Sequence, residues 1–152
     1  MLLAALAIAA ALCGSGRCDG AQLTGQVHES QGAAGTIAHS LVFENTSPDA
    51  CVLHGFPKLK LEGAPTRTRH GGIAFLEKPA KWFVLRPGKK ATLLVAAGDV
   101  PVGSETTCPS AHALYVRPPH STSRARVSVD ITACDRGLLR ESPFLKGVHG
   151  LD

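Results

Sequence analysis

The sequence predicts an all-β protein, an antiparallel β-sandwich of immunoglobulin-like kind with about eight strands. Three observations point there. Short apolar or alternating runs recur at close spacing. Turn formers are abundant, with 16 Gly and 10 Pro. No stretch carries a helical apolar stripe longer than two turns. The 152 residues suit one domain, and 44% hydrophobic composition provides a core and excludes a disordered chain.

The chain opens with MLLAALAIAAALC, residues 1–13. This run is shorter than the roughly 20 residues that span a bilayer, and it suits the apolar region of a secretory signal. Ala9 and Ala11 supply an A-x-A-like cleavage pattern, although no Lys or Arg precedes the run. Residues 1–17 are therefore assigned to a signal or membrane-targeting segment, and residues 18–152 to the β-domain. Lipidation at Cys13 or Cys18 is the alternative, disfavoured by the large Leu12 and Arg17 that precede them.

Within the domain, Leu23 to His28 forms the first predicted strand. In GTIAHSLVFEN, residues 35–45, Ile37, Leu41 and Phe43 share one face with His39, which reads as a core or sheet histidine. Asn45-Thr46-Ser47-Pro48-Asp49 is a turn. It also matches a glycosylation sequon, but an Asn that caps the turn is the preferred reading. Cys51 begins a strand to His54 that Gly55-Phe56-Pro57 breaks, with Phe56 as a core or edge anchor. PKLKLE sets Leu59 and Leu61 inward and Lys58 and Lys60 outward. Residues 73–79 form a strand or one short turn. KWFVLR and KATLLVAA are nearly continuous apolar runs, joined by Arg86-Pro87-Gly88-Lys89, which suits a type II turn. HALYVR follows. RVSVDIT, the clearest strand, alternates Val127, Val129 and Ile131 against Ser128 and Asp130.

Five cysteines are present: Cys13, Cys18, Cys51, Cys108 and Cys134. Cys13 falls in the apolar run, so four remain for an exported domain, an even number that suggests a disulfide framework with three possible pairings. The absence of C-x-x-C and the wide spacings argue against a zinc site or a redox pair.

Taken together, the features resemble the bacterial extracellular family known as domain of unknown function 4232. The residues that carry the resemblance are Cys18, FENTSPDAC, LHGFPKLKL, LRPGKKATLLV, Cys108, LYVRPP and Cys134 in TAC. The combination of N-T-x-x-x-x-C, x-L-x-G-F-P and a later R-P-G carries the specificity, and it covers nearly all of residues 18–148. The resemblance implies a secreted or lipid-anchored β-sandwich, mostly actinobacterial, with the local pairing Cys18–Cys51 and Cys108–Cys134. It supplies no catalytic residues, and the short uncharged N-terminus departs from the pattern.

No catalytic motif stands out. There is no G-x-S-x-G, no phosphate-binding Gly-rich loop, and the carboxylates are scattered. A hydrolase with a spatially assembled site is one alternative function. An extracytoplasmic copper or zinc protein is another, since seven histidines are present: His28, His39, His54, His70, His112, His120 and His149. None lies at H-x-H or H-x-x-x-H spacing, and the one Met opens the chain. The expectation is therefore no metal and no cofactor. A net charge of +4 with 5% aromatics is too mild for a nucleic-acid module. The expected function is a non-enzymatic envelope or secreted domain that binds through loops. The candidates are Arg67, Arg69 and His70 in the 66–72 loop, and Arg117, His120 and Arg124 at and within the 118–124 loop. Their expected partner is an anionic cell-envelope polymer or a protein, with membrane contact only through the N-terminal segment.

Overall fold

A computed structural model describes residues 16–152. The expected signal-segment residues 1–15, Cys13 among them, lie outside the described residues. The first described residues already join the fold: Gly16 O accepts from Val52 N, and Arg17 bridges in parallel to Val52.

Eleven strands follow among the described residues. They are β1 (Leu23–Ala33), β2 (Thr36–Asn45), β3 (Cys51–Leu53), β4 (Lys58–Leu61), β5 (Arg67–His70), β6 (Phe83–Leu85), β7 (Lys90–Gly98), β8 (Ser110–Arg117), β9 (Ala125–Thr132), β10 (Leu138–Glu141) and β11 (Leu145–Lys146). The larger sheet runs β1-β2-β7-β10-β5, with β11 also paired to β7. A second sheet is β4-β8-β9, and β3 pairs with β6. Leu41, Phe43, Leu93 and Val95 of the larger sheet pack on Leu61, Leu114, Val116, Val127 and Ile131 of the smaller one. That buried layer makes the molecule a β-sandwich.

KATLLVAA reads as continuous because β7 is covered on both faces. Leu93 and Val95 face the sandwich, while Leu94 and Ala96 join Ala38 and Leu76 in a second cluster on the outside. The 3-10 turn Ala74–Leu76 caps that outer face, which resolves residues 73–79 as a turn. The C-terminal residues strap it: Ser40 Oγ donates to His149 O, Thr92 Oγ donates to Gly147 O, and Leu151 N donates to Glu29 Oε2.

Three strands, β5, β10 and β11, exceed the eight expected. The 66–72 segment is not a loop. Arg67–His70 pairs in parallel with Leu138–Glu141 at the sheet edge, although all four of its side chains are exposed and give no apolar alternation. The Arg86–Lys89 turn forms as expected, with Lys89 N donating to Arg86 O and Gly88 at φ 77°. Asn45 caps its turn from a fully buried position. Its Nδ2 donates to Asp49 O and Leu85 O, and its Oδ1 accepts from Ser47 N and Oγ. A buried, fully bonded amide is closed to glycosylation. His39 is likewise a buried sheet histidine, bonded through Nδ1 to Ser30 Oγ at 2.8 Å, and burial lowers its pKa.

The disulfides are Cys18–Cys51 and Cys108–Cys134, with Cα atoms 4.7 and 4.5 Å apart. The second anchors the turn Cys134–Gly137, whose backbone is left-handed at Asp135 and Arg136 (φ 59° and 57°). Glu105 holds that turn by accepting from both their amides at 2.9 Å, and these two bonds lower its pKa.

Candidate functional site

The outward face of β4, β8 and β9 follows from alternation beyond the β8 bulge near Ala113: Leu59, Leu61, Leu114 and Val116 point into the core, so Lys58, Lys60, Tyr115 and Arg117 point out. Register then decides which polar side chains meet. Lys58 opposes Arg117, and Lys60 opposes Tyr115, which opposes Arg126. Pairing of Val116 with Ala125 brings Arg124 beside Arg117. Lys58, Lys60, Tyr115, Arg117 and Arg124 line a cavity of about 670 Å³, closed on its other side by Phe56, Pro57, Thr68 and His70.

The charges in this groove are unequal. Glu62 accepts from Arg126 through both carboxylate oxygens, at 2.8 and 3.0 Å, and also from the Tyr115 hydroxyl. The Arg126 bonds and then the Tyr115 bond hold its pKa down at about 2. Glu62 is thus committed to Arg126. Among the described residues Lys58, Arg117 and Arg124 form no ion pair, and Arg124 instead lies over the Tyr115 ring, 3.7 Å from its centroid. Like charges directly opposed across strands are destabilising. The row Lys58–Arg117–Arg124 therefore works against the sheet that carries it.

Phe56 is half-buried and lies outside the main core cluster. Its ring stacks on His70 of the edge strand β5, with centroids 3.9 Å apart, so of the expected core or edge positions it takes the edge one. Beneath His70 sits Glu141, fully buried on β10, with Oε1 3.0 Å from His70 Nδ1 and Oε2 without a partner. Burial pushes its pKa up to about 8. The Nδ1–Oε1 contact orients the ring, and no hydrogen bond among the described residues uses Nε2, which is left for a ligand. No hydroxyl or thiol among the described residues bonds to this histidine, so the pair is an oriented imidazole without an attached nucleophile.

Three of the six candidate binding residues, His70, Arg117 and Arg124, meet in this groove. The other three do not line it. Arg67 binds Asp135, by Oδ1 at 3.0 Å and by its carbonyl at 2.6 Å, and so buttresses the left-handed turn. Arg69 packs near Gly72 on the same edge strand, and His120 occupies an exposed turn at φ 61°. Sequence reading missed Phe56, Lys58, Lys60, Tyr115 and Glu141 as site residues. The KLKL alternation already announced outward lysines, but nothing in sequence told that β5 would bring His70 alongside them. As for metals, one trio of potential ligand atoms occurs among the described residues, Glu105, Cys108 and Cys134, and its two sulfurs are bonded to each other.

A family model described as Domain of unknown function (DUF4232) matches residues 18–144. The chain belongs to the DUF4232 family. Among curated proteins and solved structures, none matches the chain. The groove of this DUF4232 protein must therefore be read from its own atoms. Its two disulfides suggest an oxidising, extracytoplasmic setting, and no described helix is long and apolar enough to cross a membrane.

Proposed function

We propose that this protein is a secreted or envelope-attached binding domain that holds an anionic polymer in the β4–β8–β9 groove. The observation that carries the reading is the row Lys58–Arg117–Arg124, set against its own sheet and, among the described residues, in no ion pair. A ligand bearing phosphate or carboxylate groups supplies the missing charge, with the guanidinium groups as fork-shaped donors. The Phe56–His70 stack offers an apolar face and one free ring nitrogen beside it. Binding is favoured over catalysis because no hydroxyl or thiol among the described residues is hydrogen-bonded to His70.

The test is co-sedimentation with purified cell-wall fractions. Retention is expected at about 0.1 M salt and loss near 1 M, as the screening length falls from about 10 to about 3 Å. Lys58→Ala with Arg117→Ala should weaken retention roughly tenfold or more. Unchanged retention of that variant would overturn the assignment of the groove.

A further inference from the structure

A second surface, sharing no residue with the groove, has the chemistry of a membrane contact. In β6, Phe83 and Leu85 turn inward, so Trp82 and Val84 turn outward, 69% and 39% exposed. Trp82 overhangs a cavity of about 480 Å³ floored by Pro79, Phe83, Phe144 and Leu145. Its rim is Lys78, Lys81, Lys146 and His149, with no carboxylate among the lining residues. Among the described residues none of these lysines is in an ion pair. An exposed indole amid lysines over an apolar floor matches a lipid-water interface. There the ring sits at headgroup depth, and cations meet the negative leaflet.

Charge complementarity supports the same occupant: three lysines and no carboxylate surround the indole, over an apolar floor. We propose that Trp82, with Lys78, Lys81 and Lys146 around it, forms a docking surface for an anionic lipid bilayer. A soluble polyanion is the lesser candidate, since it has no use for the apolar floor.

Trp82 is the only tryptophan of the chain, so its emission reports on this patch alone, whatever the remaining chain does. The full-length protein is titrated with vesicles of phosphatidylglycerol and, separately, of phosphatidylcholine. The expected result is a shift to shorter wavelength on phosphatidylglycerol, quenched by acyl-chain-brominated lipid and reversed by salt. Lys78→Ala with Lys81→Ala, both at exposed positions, should lower that partitioning roughly 30-fold while leaving the disulfides formed. Emission that stays unshifted while the protein co-sediments with vesicles would overturn the proposal. So would an equal shift on phosphatidylcholine, or a shift produced by a soluble polyanion but not by vesicles.

Discussion

Glu141 sets the sign of a pH effect. Its pKa is raised by burial from an ordinary 4.5 to about 8, so folding takes up a proton between those values. Its contribution is full below about pH 4.5 and is lost as pH rises towards 8, by about 1 kcal/mol per unit. Asp19, Glu62 and Glu105 act oppositely. Their pKa values are lowered, so their contributions are present above the unfolded pKa and are lost as pH falls below it. Urea unfolding should thus show stability declining between about pH 6.5 and 8, above the range in which the lowered pKa of His39 opposes Glu141, and Glu141→Gln should flatten that decline. An unaltered decline in that variant would discard the account. Asn45 is the second such residue. Its Ala variant strands the Leu85 carbonyl and Ser47 amide and should cost about 2–3 kcal/mol by the same measurement. The turn role of Asn45 was legible because its neighbours are all turn formers. The role of Glu141 was not, because burial and the His70 contact come from a pairing 71 residues apart.

At the scale of elements, periodicity served where one face is buried. RVSVDIT and KLKL lie as their alternation says. It failed for RTRH, whose strand form depends wholly on β10 as a parallel neighbour. β10 itself follows a left-handed turn that no local propensity announces. Gly137 closes that turn at φ 79°, and a Cβ there would stand 2.0 Å from Pro65 O. Gly137→Ala should therefore cost about 3 kcal/mol or more in thermal or urea unfolding and loosen β5 from β10. In the groove the opposed cations give the reverse expectation. Lys58→Thr should raise stability by about 0.2–1 kcal/mol while reducing polymer retention. A variant that loses both would show that Lys58 serves the fold instead.

For the whole molecule, the two bridges close loops of sequence separation 33 and 26. Chain-entropy arguments give each about 3.5 kcal/mol, a large part of a net stability of about 5–15 kcal/mol. Cys51→Ala should lower unfolding free energy by about 2–5 kcal/mol, read by denaturant titration of the oxidised protein. The residue types and their order pointed to the sandwich, and the family pattern implied the bridge pairing, because both depend on spacing along the chain. The groove depends on which edges meet across the molecule, and spacing is blind to that.

The strap over β2 and β7 has a practical consequence. Ser40 and Thr92, both fully buried, give their hydroxyl protons to backbone carbonyls of residues 147–149. A chain clipped at Lys146 would take Leu151 from the cluster of Ala38, Leu94 and Ala96, uncover part of it, and leave those two donors without their carbonyls. Such a trimmed molecule should pair with its own kind, sheet against sheet.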